Sequence, residues 1–189
     1  MDGVLRDWAR EAPWFAGPPA TLAFGGGTPS RADPRSLAAV VEAVRPSDET
    51  GMEVNPEDVS RARLREWRSL GVSRLSLGVQ TFSPTLAPRL GRAHSARQAV
   101  AALGLVMQEN FGSVSVDLMF GHEGQTVDSL LADLHTAVAG GVHHLSLYSL
   151  TIEAGTRFAA EGRAGADDER WVELHDAAVA FLEEAGLQR

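Results

Sequence analysis

Cysteine is absent from this sequence of 189 residues. Disulfides, thiolate nucleophiles and cysteine-ligated metal centres are therefore excluded within the chain. Apolar runs long enough to span a membrane are also lacking, so no membrane span is predicted. The first residues do not have the basic-then-apolar pattern of a signal peptide, and we therefore expect a cytoplasmic location.

Basic residues are in deficit, because 17 basic residues, all of them arginines, stand against 25 acidic residues and give a formal net charge of −8. Binding to nucleic acid requires a basic surface that contacts phosphates, so no nucleic-acid partner is expected. The apolar fraction of 44% and the charged fraction of 22% are typical of a soluble globular protein. The length suffices for one sizeable core, and we predict a single domain over residues 1–189.

Short apolar segments alternate with helical patterns along the chain, at the spacing of successive βα units. This alternation predicts an α/β fold with a parallel sheet, and both an open doubly wound sheet and a barrel or partial barrel satisfy it. The sequence has neither a G-x-G-x-x-G turn after the first strand nor a P-loop. The predicted strands are Thr21–Phe24, Gly51–Val54, Arg74–Gln80, Ser113–Phe120 and His143–Leu150.

Several helix starts can be predicted from capping residues. Asp33 and Asn55 each precede a proline, which is the arrangement of an N-cap followed by the first helical residue. Ser95 and Gln98 have the spacing of a capping box. The clearest amphipathic helix carries Val127, Leu130, Leu131, Leu134 and Val138 on one face.

Glycines and polar residues collect near the carboxyl ends of the predicted strands, where ligands bind in parallel α/β folds. Consecutive glycines allow a ligand to lie directly on the backbone. Carboxylates accept hydrogen bonds from a ribose diol or an amine, and an arginine can hold a carboxylate with two parallel bonds. The candidate binding residues are Gly25, Gly26, Gly27, Thr28, Glu53, Gln80, Arg92, Asp117 and Thr151.

Motifs at these strand ends follow one another in a characteristic order. They are Gly25-Gly26-Gly27-Thr28-Pro29-Ser30, Glu53-Val54-Asn55-Pro56, Leu75 to Phe82 (LSLGVQTF), Gly91-Arg92-x-His94 and Asp117-Leu118-Met119-Phe120-Gly121. Together they resemble the radical S-adenosylmethionine core of the oxygen-independent coproporphyrinogen oxidase group. The segment Leu150-Thr151-Ile152-Glu153-Ala154-Gly155-Thr156 is more similar to the heme chaperone (HemW) branch. The resemblance covers nearly the whole chain from about Thr21 onward.

The resemblance implies a partial (βα) barrel of the TIM type. In that family S-adenosylmethionine lies across the strand ends, and its methionyl amine and carboxylate chelate the open iron of a [4Fe–4S] cluster. By the same resemblance Gly26, Gly27 and Thr28 would lie against the methionyl end of the cofactor, and Glu53 would bind the ribose hydroxyls.

The remaining motif residues take their implied roles from the same comparison. Gln80 and Asp117 would line the nucleoside side of the cofactor. Arg92 would face its carboxylate, and the backbone of Thr151 would contact the adenine region.

The sequence departs from the family pattern at the cluster. The family's C-x-x-x-C-x-x-C lies on the loop after its first strand, and this sequence has neither those cysteines nor that strand. The family's C-terminal region, with its His-Asn-x-x-Tyr-Trp segment, also has no counterpart. The sequence is therefore predicted to be a family core truncated at both ends. Gly121-His122-Glu123-Gly124-Gln125-Thr126 stands where the family has Gly-Leu-Pro-Gly-Gln-Thr.

Heme is a possible ligand by resemblance, and His122 is the only histidine at the predicted ligand end that could serve it. His143 and His144 are adjacent in a predicted strand, so their side chains point to opposite faces and cannot share one ligand. We expect one of them to be packed and the other exposed.

Three functions remain compatible with the sequence. The first is a HemW-like heme chaperone, which binds heme or a porphyrin and passes it to a heme-accepting protein. The second is an oxidase of the coproporphyrinogen III type in porphyrin biosynthesis. The third is an inactive remnant without a cluster. The Thr151–Thr156 segment favours the first over the second, and without cysteine ligands no radical chemistry is expected of this chain alone.

Overall fold

The computed structural model describes residues 2–188 and has the predicted alternation of strands and helices. The strands are β1 (Thr21–Phe24), β2 (Glu49–Val54), β3 (Arg74–Gln80), β4 (Ser113–Phe120) and β5 (His144–Ser149). The α-helices are α1 (Asp2–Glu11), α2 (Pro34–Val44), α3 (Arg61–Ser69), α4 (Leu86–Arg89), α5 (Ala96–Gln108), α6 (Val127–Ala139), α7 (Arg157–Ala160) and α8 (Asp168–Glu184). Short 3₁₀ turns occupy Ala12–Trp14, Pro29–Arg31 and Pro56–Asp58.

The five strands form one sheet in the order β1-β2-β3-β4-β5. β1 runs parallel to β2 with Phe24 opposite Met52, and β2 runs parallel to β3 with Val54 opposite Leu77. Each strand connects to the next through at least one helix, as parallel neighbours require. The prediction of an α/β fold with a parallel sheet is confirmed.

The chain divides into two compact units. The first comprises the chain up to Gly78 together with Ala101–Ser115, and the second comprises Val79–Val100 and the chain from Val116 onward. The core of the first unit contains Leu37, Val40, Met52, Leu64 and Trp67. That of the second contains Leu118, Leu130, Leu134, Leu174 and Ala178. The single domain expected from the sequence stays a prediction.

Capping residues place most helix starts as predicted. Asp33 caps α2 by accepting from the backbone N–H of Arg35, with Pro34 as the first helical residue. Ser95 and Gln98 exchange side-chain and backbone hydrogen bonds at the start of α5. No helix in the described part of the chain is long and apolar enough to cross a membrane.

The predicted N-cap at Asn55 is wrong. Its side chain makes no capping bond, and the residues after it form only the 3₁₀ turn Pro56–Asp58. Helix α3 begins later, at Arg61, where Ser60 accepts a hydrogen bond from the backbone N–H of Arg63. The carboxylate of Asp58 accepts hydrogen bonds from the side chains of Ser30 and Arg31. These bonds hold Pro56–Asp58 as a turn, so the chain does not continue into a helix at this point.

Candidate functional site

The glycine loop after β1 is built against Glu53 in the first unit. Gly26 and Gly27 have φ of +73° and +61°, which glycine adopts without a steric cost. The N–H of Gly26 donates to Oε2 of Glu53 at 3.2 Å. A β-carbon on Gly25 would lie 3.0 Å from Oε1 of the same carboxylate, so a larger residue there would make the Glu53 side chain shift by a few tenths of an ångström. The structure thus brings Glu53 and the glycine loop together.

A second set of contacts ties the loop to the segment after β2. The buried hydroxyl of Ser30 donates to Oδ2 of Asp58 at 2.7 Å, and Nε of Arg31 donates to Oδ1 of Asp58 at 2.9 Å. This hydrogen bond and the charge of Asp58 raise the pKa of Arg31. The guanidinium of Arg63 also donates to the carbonyl of Ser30. The sequence motifs after β1 and β2 are therefore held together by side chains as well as by strand pairing.

The other four candidate residues belong to the second unit. Gln80 is the last residue of β3 and has a positive φ of +67°. Asp117 is half-buried inside β4 and is engaged in an interaction within the protein. Arg92 is half-buried, and its backbone N–H donates to the carbonyl of Ala87 at 3.1 Å. Thr151 is exposed just after β5. Their roles toward a ligand stay predictions.

The loop after β4 is closed by a buried glutamine. Oε1 of Gln125 accepts from the N–H of Gly121 at 2.7 Å, and Gly121 has a φ of +78°. The carbonyl of Gln125 in turn accepts from the guanidinium of Arg170, with Nη2 at 2.8 Å. Hydrogen bonds therefore hold the loop of residues 121–126, whose sequence differs from the family pattern, at Gly121 and at Gln125.

His122 lies in this loop and lines a small polar cavity of about 170 Å³. Its Nδ1 donates to the carbonyl of Glu123 at 3.0 Å. Burial lowers the pKa of His122 and Arg89 adds to this effect, whereas the Glu123 carbonyl and Asp133 oppose it. The cavity is smaller than the roughly 300–1,000 Å³ of most ligand pockets, so it does not enclose a porphyrin as it stands. Heme binding at His122 stays a prediction.

The exposure of His143 and His144 differs from the expectation. Both His143 and His144 are exposed, so the prediction that one would be packed is wrong. The reason is that the strand begins only at His144 and is exposed at that end.

The sequence reasoning missed Asp133. It is 4% exposed on the buried face of α6, between Leu130 and Leu134. Oδ2 accepts from the hydroxyl of Thr81 at 2.6 Å, and Oδ1 accepts from the backbone N–H of Phe82 at 2.9 Å. Burial raises the pKa of Asp133, and these two hydrogen bonds lower it. An aspartate within an apolar helical stripe was the signal that could have identified it.

The donor set does not fit an iron–sulfur cluster. The chain contains no cysteine, and among residues 2–188 no group of three or more histidine or carboxylate side chains could hold a metal ion. Thiolates are the ligands of such clusters in proteins, so a cluster has no binding site made by this chain.

The family model of the radical SAM superfamily matches residues 3–137. The chain belongs to the radical SAM superfamily.

Curated relatives place this radical SAM chain near the heme chaperones. It is 40% identical over 176 residues to radical S-adenosyl methionine domain-containing protein 1, mitochondrial, of Bos taurus, covering 88% of this chain and 40% of the relative. It is 35% identical over 177 residues to the heme chaperone HemW of Mycobacterium tuberculosis, covering 88% of this chain and 45% of that protein. The chain thus spans less than half the length of these relatives.

A solved structure supports the fold. Coproporphyrinogen III oxidase (HemN) from Escherichia coli, a radical SAM enzyme, matches with a TM-score of 0.84 and 24% sequence identity. The match covers 99% of this chain and 45% of that chain. At this identity the likeness establishes the fold alone, which is that of part of the radical SAM barrel.

Proposed function

We propose that this radical SAM chain is the core of a HemW-like heme chaperone, which binds heme and passes it to a heme-accepting protein. The observation that carries the proposal is the identity of 32–35% to several HemW proteins over 88–89% of the chain. The Thr151–Thr156 segment, which resembles the HemW branch, supports the same choice. The coproporphyrinogen oxidase alternative has less support, because its solved representative is 24% identical.

We further propose that the strand ends bind S-adenosylmethionine. In the first unit the contacts would come from Gly26, Gly27, Thr28 and Glu53, where the glycine loop and the carboxylate already meet. One oxygen of Glu53 is hydrogen-bonded to the loop, and the carboxylate retains acceptor capacity for ribose hydroxyls. The second-unit residues Gln80, Arg92, Asp117 and Thr151 are proposed on the sequence motifs alone.

The proposed role of this chain towards S-adenosylmethionine is binding and does not include its cleavage. The family's [4Fe–4S] cluster supplies electrons for cleavage of S-adenosylmethionine, and the residues of this chain do not fit that cluster. S-adenosylmethionine would here lack two anchors, its amine and carboxylate on iron, each worth about 1.5–3 kcal/mol by analogy with charged hydrogen bonds. A micromolar site would then weaken to millimolar or beyond, at about 1.4 kcal/mol for each factor of ten.

Two titrations test the proposal. The chaperone part is tested with hemin, whose Soret band should shift in a saturable, equimolar complex with the chain. Transfer of that heme to apomyoglobin, a generic acceptor, should then follow. A chain that leaves the hemin spectrum unchanged would refute heme binding.

The cytoplasmic location and the natural acceptor protein stay predictions.

The cofactor part is tested by NMR titration of the ¹⁵N-labelled chain with S-adenosylmethionine, because this method measures millimolar affinities. Glu53→Gln should weaken binding by about 1–3 kcal/mol for the lost contacts to the nucleoside. Glu66→Gln, at an exposed glutamate on α3, is the matched control and should bind as the wild type does. Equal affinities for all three proteins would show that Glu53 is not part of the site.

A further inference from the structure

The backbone of Gln80 is in the left-handed region, with φ of +67°. Two other non-glycine residues among those described share this feature, Arg45 and Asn110. Both follow the ends of helices, α2 and α5, where a left-handed residue commonly closes the last turn. Gln80 instead ends a strand, so no helix cap accounts for its conformation. A strained residue at such a place persists only when its surroundings hold it.

The residues on both sides of Gln80 are fixed by buried side chains of the second unit. On the preceding side, the carbonyl of Val79 accepts a hydrogen bond from Nε2 of the buried His94 at 3.1 Å. On the following side, the hydroxyl of Thr81 and the N–H of Phe82 donate to the two carboxylate oxygens of Asp133. The N–H of Ser83 then donates to Oγ1 of Thr81 at 3.0 Å.

The carboxylate of Asp133 is committed to the segment that follows Gln80. Its two oxygens accept from Thr81 and Phe82, and it lies on the face of α6 that otherwise packs into the apolar core. A carboxylate at such a position costs desolvation free energy that an alanine or a leucine would not. Its two oxygens nevertheless match two donors that come directly after Gln80 in the chain.

We propose that Asp133 and His94 are positioning residues that together hold Gln80 in its left-handed conformation. This proposal rests on the proposed function, in which Gln80 contacts the nucleoside of S-adenosylmethionine. His94 fixes the peptide before Gln80, and Asp133 fixes the two residues after it. If this clamp opens, the backbone at residue 80 relaxes to a negative φ and the side-chain amide leaves its place.

The test uses the full chain, labelled with ¹⁵N and ¹³C, and reads two quantities. The first is the sign of the backbone φ of residue 80, from the three-bond coupling between its amide and α protons together with the strong nuclear Overhauser effect between these two protons that a positive φ gives. The second is the affinity for S-adenosylmethionine. Asp133→Leu, which removes both acceptors and places an apolar side chain on the buried face of α6, should give a negative φ and at least about a fivefold weaker affinity. Asp128→Leu, at an exposed aspartate of the same helix, should change neither quantity.

Two further variants separate positioning from a general loss of stability. Thr81→Val removes one of the two donors to Asp133, together with the acceptor of the Ser83 N–H, and carries the test if Asp133→Leu does not fold. Gln80→Gly removes the side-chain amide that the clamp is proposed to position, and glycine tolerates a positive φ without the clamp. In the Gln80→Gly background, Asp133→Leu should therefore weaken S-adenosylmethionine binding no further. If Asp133 has only a structural role, Asp133→Leu should lower the affinity by the same factor in both backgrounds. That result would overturn the proposal.

Failure of the clamp and failure of the proposed function give different results. A positive φ at residue 80 that persists in both Asp133→Leu and Thr81→Val would overturn the clamp, whatever the affinities are. A wild-type chain that does not bind S-adenosylmethionine would overturn the proposed cofactor site. The φ measurement would then still decide whether Asp133 holds the backbone.

Discussion

At the scale of single residues, two glycines of the loop after β1, Gly26 and Gly27, are required for their backbone conformation and not for lack of space. A β-carbon on Gly27 would meet no atom within 4 Å, and the same holds for Gly26. Both residues nevertheless have positive φ, which costs other residues roughly 1–2 kcal/mol. The loop is therefore specified by its conformation, and its open side is left accessible to a ligand.

Replacing Gly27 by alanine should lower the free energy of unfolding by about 1–2 kcal/mol, because the positive φ is strained for an L-residue. Urea denaturation measures the change. Gly17→Ala is the matched control, since a β-carbon on Gly17 would also meet no atom within 4 Å but Gly17 does not have positive φ. Equal stabilities for the two variants would contradict a conformational role for Gly27.

His122 should make the protein less stable in mild acid. Because burial lowers its pKa in the folded state, the unfolded chain binds the proton first as pH falls below about 6.5. Stability is then fully present above pH 6.5 and is lost as pH falls towards the folded pKa of His122. The groups that face the ring are the Glu123 carbonyl, Arg89 and Asp133.

The measurement for this prediction is urea denaturation at about pH 7.5 and about pH 5.5. His122→Gln should lose less stability than the wild type between these two values. His144→Gln, at an exposed histidine, retains His122 and should lose as much as the wild type. An unchanged loss in His122→Gln would show that another group is responsible.

At the scale of elements, the connection between the segments after β1 and β2 depends on Asp58. Asp58→Ala would leave the buried hydroxyl of Ser30 without its acceptor, and we expect a loss of about 1–3 kcal/mol. Asp48→Ala is the matched control, because Asp48 accepts from the hydroxyl of Ser47 at 2.8 Å but at the surface. It should cost no more than about 0.5 kcal/mol. If Asp58→Ala and Asp48→Ala lose the same free energy of unfolding, measured by heat or urea, the proposed role of Asp58 in connecting the two segments is contradicted.

The elements themselves were largely predictable, because local signals determine them. Strand–helix alternation predicted every strand to within a few residues, and the Asp33 and Ser95 caps depend on neighbours along the chain. The N-cap at Asn55 failed because Asp58 binds partners about 28 residues earlier. The partners of Asp133 could not be predicted for the same reason, since Thr81 lies 52 residues before it. In the candidate site, the motif residues were predicted from the sequence, but the side chains that hold them in the structure were not.

At the scale of the whole molecule, β1 is the first strand in the sheet order and pairs with β2 on one side. An apolar groove of about 380 Å³ lies beside it, lined by Val4, Leu22, Phe24, Leu37 and Val40 among others. Strand edges of this kind pair with other chains unless they are blocked. This edge is therefore the surface at which self-association is expected.

We predict that the chain self-associates at micromolar concentrations, as measured by sedimentation velocity. Ala23→Lys places a charge on the exposed side of β1 and should shift the protein towards monomer. Ala132→Lys adds the same charge on the exposed surface of α6 and should leave the association unchanged. A wild-type chain that sediments as a single monomer would contradict the prediction.

The order of the strands also matters for how the protein is made. Because the sheet order follows the sequence, each new strand pairs with one that the ribosome has already synthesised. A strand that had to pair with a later partner would wait, with its backbone unpaired and exposed to other nascent chains. Here each βα unit can dock as soon as it emerges, so the sheet grows in the direction of translation and its assembly needs no strand inserted between two others.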